Sequence, residues 1–269
     1  MGRVLRIDPN RALVMGSGRL RRPHAIAVGS RGVYANDFWR DRIRLIDART
    51  LRVVRSLKLK LPFRFSPRDN AFVPFAVAVG PNAVWIATDR GALARADLRL
   101  RHVVARVRLP FDAYGGMAVG PQAVWLGESL AGVYRVDLRT NRVAARIRVP
   151  LARGRFDAEE VIRCGRNVLV LGNGTMGGVI TNRFYLAKVD VLRNRAEVVA
   201  PLPAEPYSVT CGAGSLWLGR SGSSTLERID PRTGKVVGRR TVRIGTSLAF
   251  AGGRLWSAFP DGTVRQLGR

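Results

Sequence analysis

The chain repeats one short pattern six times, and the spacing of these repeats constrains the fold more than any other feature of the sequence. A typical copy reads Ala-Val-Gly-Pro-Asn-Ala-Val-Trp85, in which a small apolar segment and a turn precede an aromatic residue. The slot of this last residue is filled in turn by Tyr34, Trp85, Trp125, Val170, Trp217 and Trp256, which lie 51, 40, 45, 47 and 39 residues apart. Repeats of this length that hold only short strands predict the blades of a β-propeller.

The first five repeats have the pattern of four short strands. The first is short and apolar, the second carries the slot residue, the third ends in Asp, as at Asp137 and Asp230, and the fourth is rich in Val and Arg. An Asp at the head of a turn accepts backbone N–H bonds, and a large aromatic side chain packs between sheets, so both recurring features have a structural explanation. The sequence therefore predicts an all-β fold, a propeller of six four-stranded blades that takes up residues 1–269 as one domain.

The two ends of the chain leave the closure of the propeller open. The sixth repeat stops after its third strand, at residues 262–267. N-terminal strands within residues 3–17 either complete this blade, so that both chain ends close the ring, or follow it as an incomplete seventh blade. Because the chain begins in the middle of a repeat, it is expected either to close on itself or to be part of a longer protein.

Composition excludes a membrane-spanning helix and points to a strongly basic surface. The chain is 46% apolar, which is enough for a globular core, but it has no apolar run of 18 residues and no visible signal peptide. Its net charge is +27, with 42 Arg and 4 Lys, and the Arg are concentrated in the last strand of each repeat. Charges on such an outer edge strand discourage edge-to-edge pairing. The alternative is a surface that binds a polyanion such as nucleic acid.

The two cysteines, Cys164 and Cys211, occupy the same position in consecutive repeats, at the end of the first strand. First strands of neighbouring blades run side by side, so these residues either form a disulfide or remain as two small buried apolar side chains. Two cysteines without a nearby His do not indicate a metal site.

Loops that connect the second to the third strand, and each blade to the next, are expected at the same end of the channel. Residues in these loops that carry oxygen or nitrogen ligands are His24, Asp37, Asp89, Glu128, Asn173, Glu160 and Arg220. Carboxylate and amide oxygens suit Ca²⁺ or Mg²⁺, so the sequence predicts either a ligand or ion site here or a set of solvated loop residues. No catalytic residue is assigned, because no triad, phosphate loop or metal-spaced motif occurs.

Two long connections between blades, residues 60–74 and 150–160, are expected to overhang the same end. Their aromatic side chains are candidates for contact with a partner, namely Phe63, Phe65, Phe72 and Phe156. The Gly-rich segment 172–178 lacks the Lys and helix of a phosphate loop, and we interpret it as a long flexible loop.

The repeat as a whole, with its Val-Trp strand and an Arg-Ile-Asp-Pro-Arg-Thr turn at residues 228–233, resembles the YVTN-type propeller repeats and those of the virginiamycin B lyase group. The resemblance covers nearly the whole chain and implies an extracytoplasmic location. Lyases of this group imply a catalytic His in a Glu-x-His element together with magnesium. Here Glu128 is followed by Ser129 and Leu130, so the lyase activity is not carried over.

Three functions remain open from the sequence. The first is a non-enzymatic scaffold without a cofactor, a monomer or a domain of a larger protein, that binds a protein, peptide or surface ligand at the loop-rich channel face. The second is a metal-dependent lyase or lactonase-type hydrolase that uses acidic residues with Ca²⁺ or Mg²⁺. The third is polyanion binding through the Arg-rich strands.

Overall fold

The computed structural model describes residues 2–8, 13–20, 23–37, 42–60, 74–88, 91–110, 116–128, 132–202, 205–220, 224–259, 261 and 263–267, and every regular element in these ranges is a β-strand. None of these ranges contains a helix that could cross a membrane. The chain divides into two compact units, of which the first comprises Met1–Asp8, Val14–Glu128 and Tyr134–Ala145, and the second comprises Pro9–Leu13, Ser129–Val133 and Arg146–Arg269.

The strands form one N-terminal pair and six repeated sheets. The pair consists of β1 (Gly2–Asp8) and β2 (Leu13–Leu20). The first sheet contains β3 (Pro23–Gly29), β4 (Gly32–Asp37), β5 (Arg42–Ile46) and β6 (Val53–Lys58). The second contains β7 (Pro74–Val79), β8 (Ala83–Thr88), β9 (Ala92–Asp97) and β10 (Val103–Arg108). The third contains β11 (Met117–Val119), β12 (Ala123–Glu128), β13 (Gly132–Asp137) and β14 (Arg142–Arg148).

The remaining three sheets follow the same order. The fourth contains β15 (Arg155–Cys164), β16 (Asn167–Met176), β17 (Val179–Asp190) and β18 (Arg195–Leu202). The fifth contains β19 (Pro206–Gly212), β20 (Ser215–Arg220), β21 (Thr225–Ile229) and β22 (Val236–Thr241). The sixth contains β23 (Ser247–Ala251), β24 (Arg254–Ala258) and β25 (Val264–Leu267).

Within each repeated sheet, strands that follow one another in the chain are neighbours. The six predicted sheets are therefore present at the predicted places. The sixth sheet has three strands, and β1 and β2 form a two-stranded sheet of their own, so the way in which the chain ends close the ring stays a prediction. Val4 and Leu20 of this pair pack against Val33 and Ile46 of the first sheet.

Apolar cores lie between consecutive sheets, and the aromatic slot supplies much of them. In the first unit, Tyr34 packs with Val84 and Ile86 between the first and second sheets, and Trp85 packs with Leu126 between the second and third. In the second unit, similar cores join the fourth sheet to the fifth and the fifth to the sixth. Burial of a large apolar side chain stabilises a fold by roughly 1.5–3 kcal/mol. Because these side chains are buried only where a neighbouring sheet covers them, no sheet is expected to be stable alone.

The Asp that ends the third strand caps its own turn, as predicted. Asp47 accepts hydrogen bonds from the backbone N–H groups of Arg49 at 3.0 Å and Thr50 at 2.6 Å. Asp97, Asp137, Asp190 and Asp230 bond the backbone two residues on in the same way. These bonds hold the pKa of Asp47 below its ordinary value, because they stabilise the charged carboxylate. The recurring Asp is therefore a structural residue.

A disulfide joins Cys164 of β15 to Cys211 of β19, with a Cα–Cα distance of 5.4 Å. It links the first strands of the fourth and fifth sheets, next to the core that contains Leu169 and Leu216. The sequence left this bond open, and the structure forms it.

Candidate functional site

Several of the predicted site residues lie outside the part of the chain that the structure describes. This applies to Asp89, Phe63, Phe65 and Phe72 and to the side chains of His24 and Asp37. The other candidates, Glu128, Asn173, Glu160, Arg220 and Phe156, have described side chains, and each is considered within its own unit.

Glu128 is buried at the end of β12, and its Oε1 accepts a hydrogen bond of 2.9 Å from the Tyr134 hydroxyl. In the second sheet, Thr88 occupies the same slot, and its hydroxyl bonds the backbone of Ala92 at 3.2–3.3 Å. Both side chains brace the connection between the second and third strands of their own sheet. This position therefore serves the fold in both repeats.

Arg220 is occupied by an ion pair that sequence reasoning missed. Its partner Glu227 is fully buried on β21 and also accepts a 2.8 Å hydrogen bond from Arg239 Nε. Burial alone would raise the pKa of Glu227, but the hydrogen bonds and charges of the two guanidinium groups outweigh it and hold this pKa below its ordinary value. The signal available in the sequence is a carboxylate in the middle of a predicted strand, between Leu226 and Arg228. Arg220 is thus a structural residue and no longer a ligand candidate.

The fourth sheet differs from the other five in the length of its middle strands. β16 and β17 have 10 and 12 residues, whereas the second and third strands of the other sheets have four to six. They form a hairpin in which Met176 pairs with Val179 across Gly177 and Gly178, whose φ values are 60° and 83°. Two consecutive glycines at positive φ suit the tight turn of a two-residue hairpin. The expectation of a flexible loop here is therefore wrong.

Three apolar side chains project from the tip of this hairpin, here called the hairpin tip (residues 175–181). Met176, Val179 and Ile180 are 56%, 69% and 59% exposed. Met176 and Val179 are a cross-strand pair on one face of the hairpin, and Ile180 lies on the other face. Exposed apolar side chains that are adjacent in space, as Met176 and Val179 are, are typical of surfaces that bind a partner.

Beside the hairpin lies a cleft of about 470 Å³, here called the arginine cleft. Its lining residues are Pro150, Leu151, Ala152, Arg153, Arg183, Tyr185 and Val198. Gly174 leaves room for two of them, because a Cβ there would lie 3.6 Å from Leu151 Cδ1 and 3.4 Å from Tyr185 Cε2. The cleft therefore borders the base of the hairpin tip.

The positive charges of the arginine cleft are available to a ligand. Arg153 and Arg183 are both exposed, and within the described ranges neither guanidinium forms a hydrogen bond or an ion pair. Arg183 lies in an irregular stretch of β17, where Asn173 pairs with Phe184 but Thr175 pairs with Ile180. Such bulges redirect side chains and are frequent beside binding sites.

Phe156, predicted to contact a partner, is buried within the same sheet. Its ring lies over Gly172, where an added Cβ would come within 2.8 Å of Phe156 Cζ. Half of the connection predicted for residues 150–160 is in fact the start of β15, so this aromatic ring belongs to the core of the extended sheet.

Two adjacent acids, Glu159 and Glu160, lie at a bulge in β15. Ala158 pairs with Gly172 and Glu160 pairs with Leu171, so that Glu159 has no residue opposite it. Asn173 is only 3% exposed, and its Nδ2 donates a 2.7 Å hydrogen bond to Glu159 Oε1. Among the described residues, the buried Oδ1 of Asn173 has no hydrogen-bond partner.

Both carboxyl groups are held in surroundings that disfavour their charge. Burial, together with the charges of Glu205 and Asp157, raises the pKa of Glu159. Surrounding protein atoms and the charge of Glu159 raise the pKa of Glu160 to about 7, although the Glu160 side chain keeps substantial contact with water.

We expect Glu160→Gln to stabilise the protein above pH 7. The folded protein retains the Glu160 proton that the unfolded chain releases above pH 4.5, so wild-type stability falls as the pH rises from 4.5 through 7. Glutamine removes this loss. Urea unfolding should give a higher midpoint for the variant above pH 7 and equal midpoints below pH 4.5. A variant that is no more stable than the wild type above pH 7 would show that Glu160 ionises freely.

Comparison with solved structures identifies the fold. Over 97% of this chain and 88% of the other, the structure is similar to Kuenenia stuttgartiensis hydrazine synthase, with a TM-score of 0.74 and 14% sequence identity. It is also similar to the β-propeller domain of Cps50 (Swd1) from Myceliophteria thermophila, over 99% of this chain and 91% of that one, with a TM-score of 0.70 and 12% identity. The fold is a β-propeller. Its six repeated sheets are the six predicted blades.

A third similar structure is BamB from Moraxella catarrhalis, with a TM-score of 0.59, 13% identity and coverage of 95% of this propeller and 89% of BamB. No protein-family model and no curated protein matches the sequence. At these identities the likeness shows the fold alone. The resemblance to YVTN-type and virginiamycin B lyase repeats stays a prediction.

Proposed function

We propose that this propeller is a non-enzymatic binding protein that docks an acidic polypeptide segment with apolar side chains on its fourth sheet. The observation that carries the proposal is the exposed apolar hairpin tip next to the arginine cleft, with its two unpaired guanidinium groups. Apolar residues of the segment would cover Met176, Val179 and Ile180. Its carboxylates would pair with Arg153 and Arg183, since guanidinium groups bind carboxylates in a bidentate manner.

The position of these features within the repeat supports the same proposal. In repeat proteins, elaborations of a single repeat lie on one face and often form the binding surface. Only the fourth sheet of the described repeats has second and third strands longer than six residues. The lengthened strands are also held rigidly, because Phe156 is buried beneath them and Thr181 Oγ1 donates a 2.7 Å bond to the Gly174 carbonyl.

The two other functions have less support from the described residues. Within those residues, no group of three or more His, Cys, Asp or Glu side chains is placed to hold a metal ion, as the metal-dependent lyase or hydrolase would require. The Arg-rich outer strands are partly committed to the fold, since Arg106 bonds the Leu59 carbonyl through Nε at 3.0 Å and a terminal nitrogen at 2.8 Å. Protection of exposed strand edges accounts for the rest.

An extracytoplasmic location, implied by the family resemblance, remains part of the proposal. The disulfide between Cys164 and Cys211 supports it, because such bonds persist mainly in oxidising compartments. A propeller in such a compartment could bind extracytoplasmic proteins or cell-surface ligands, in agreement with a binding role.

The test is selection of random linear peptides displayed on phage against the full chain, followed by fluorescence anisotropy with the enriched peptides. We expect sequences that combine Asp or Glu with aliphatic residues. Reversal of both cleft charges, in the Arg153→Glu/Arg183→Glu variant, should weaken their binding by about tenfold or more, because each charged hydrogen bond is worth about 1.5–3 kcal/mol.

The matched control is Arg166→Glu/Arg195→Glu, which makes the same charge change at the opposite end of the fourth sheet, in an exposed turn and at the exposed first residue of β18. This variant should bind the selected peptides as the wild type does. Failure to enrich any peptide, or equal weakening by both double variants, would overturn the proposal. Equal weakening would instead indicate general attraction of polyanions to a basic protein.

A further inference from the structure

We propose that Glu159, Glu160 and Asn173 form a second binding site, which takes a primary ammonium group. The site uses none of the residues of the arginine cleft or hairpin tip, so it stands whether or not the fourth sheet docks acidic peptides. Its ligand is either a small alkylamine or a lysine side chain of a protein.

The β15 bulge brings the two carboxylates to the same face of the sheet. In a regular strand, consecutive side chains point to opposite faces. Here Phe156 and Ala158 are buried, and the next buried residue is Val161, so the alternation shifts by one at Glu159 and Glu160. Both acids therefore lie on the face opposite to Phe156 and Ala158, which is the face of Leu171 and Asn173. They are close enough for the charge of Glu159 to raise the pKa of Glu160.

Neither acid has a cationic partner in the described part of the chain. This is unusual in a protein with 46 basic and 19 acidic residues. Glu227, the buried acid of the fifth sheet, is paired with Arg220 and Arg239, and the turn aspartates bond backbone N–H groups. Among the described residues, Glu159 bonds only the amide of Asn173. Holding two carboxylates close together costs free energy through partial burial and mutual repulsion, and no cation of the described residues offsets this cost.

The amide of Asn173 supplies an independent indication of a ligand. The residue is buried, its Nδ2 already donates to Glu159, and no described residue donates a hydrogen bond to its Oδ1. Native proteins leave few buried acceptors unsatisfied, so we expect an N–H group of a ligand to donate a hydrogen bond to this oxygen.

The number and kind of acceptors favour an ammonium group over a metal ion. One oxygen from each carboxylate and the amide oxygen would match the three N–H donors of an ammonium group. A divalent ion such as Ca²⁺ needs six to eight oxygen ligands, whereas no three acids among the described residues are placed to hold a metal ion together.

Isothermal titration calorimetry of the full chain at neutral pH tests this site with propylamine, spermidine and Nα-acetyl-lysine amide. Tetramethylammonium is the matched probe, because it has the charge without an N–H donor, and CaCl₂ tests the metal alternative. We expect saturable amine binding, with tetramethylammonium weaker by about tenfold or more. Tighter binding of Nα-acetyl-lysine amide than of the alkylamines would assign the site to a lysine of a protein, and the reverse order to a free amine.

Glu160→Gln should weaken amine binding by about tenfold or more, while the control Glu197→Gln, an exposed acid on β18, should leave it unchanged. Loss of folding does not confuse this test, since Glu160→Gln is expected to stabilise the protein. Absence of amine binding, equal binding of tetramethylammonium, equal binding by Glu160→Gln, or binding of Ca²⁺ alone would overturn the proposal. The Arg153→Glu/Arg183→Glu variant should still bind amines, which separates this site from the peptide surface.

Discussion

Replacement of Glu227 by glutamine should lower the free energy of unfolding by about 3–5 kcal/mol, the usual cost of removing one partner from a buried ion pair. The Glu227 side chain is 1% exposed and Arg220 is 15% exposed, so the guanidinium of Arg220 would be left without a counter-charge in a poorly solvated place. Arg239 is 64% exposed and would return to water at little cost. Urea unfolding at neutral pH measures the difference.

The control for this prediction is Glu197→Gln, which removes an exposed partner of Lys188 and should change stability by no more than about 1 kcal/mol. The pH dependence supplies a second check. Because the pKa of Glu227 is lowered in the folded protein, its contribution is present above the ordinary carboxyl pKa of 4.5 and is lost as the pH falls through the lowered value. The gap between wild type and variant should therefore shrink in acid. A gap below about 1 kcal/mol at neutral pH would contradict the role of this ion pair.

Loss of the disulfide should be the other large effect. Cys164 and Cys211 are 47 residues apart, and the chain-entropy estimate for a loop of this length is about 4 kcal/mol. The double variant Cys164→Ala/Cys211→Ala should therefore unfold at a clearly lower urea concentration than the oxidised wild type. Wild type treated with a reductant should approach the variant. If reductant leaves the wild-type midpoint unchanged while Ellman's reagent detects two free thiols, the bond does not stabilise the fold.

Much of the fold was accessible from the sequence because a repeat reports the same physical constraint several times. The slot of Trp85 predicted burial between sheets, and Trp85 lies in the core between the second and third sheets. The Asp that ends each third strand predicted a capped turn, and Asp47 accepts the expected backbone hydrogen bonds. Six imperfect copies of the aromatic slot and five of the Asp made these patterns stand out from local variation.

The candidate site was less accessible because it lies where one repeat departs from the others. Gly177 and Gly178 were interpreted as part of a flexible loop, but pairing of the flanking strands turns the same glycines into a tight hairpin turn. The short first strands of the other repeats predict a loop at Phe156, but β15 begins earlier in its repeat, at Arg155, and includes this residue. Strand length depends on pairing with neighbouring strands, which a single sequence does not reveal.

The side chains predicted as ligands fall into two groups, those whose polar atoms already have partners in their own sheet and those whose polar atoms do not. Arg220 pairs with Glu227 and Glu128 with Tyr134, so both are committed to their own sheets. Asn173 and Glu160 remain candidates, since the first has an unsatisfied oxygen and the second has no ion-pair partner in the described residues. From residue type alone, all four are equally good candidates for a ligand site. Only the three-dimensional arrangement distinguishes a satisfied polar group from an available one.

Hydrogen exchange of the full chain with and without a selected peptide tests the binding surface most directly. Bound peptide should slow exchange at residues 150–154 and 174–185, which form the arginine cleft and the hairpin, and leave the Arg-rich strands β6, β10 and β22 unchanged. Protection of those outer strands without protection of the fourth sheet would contradict the proposed site and favour a surface that attracts acidic chains without regard to shape.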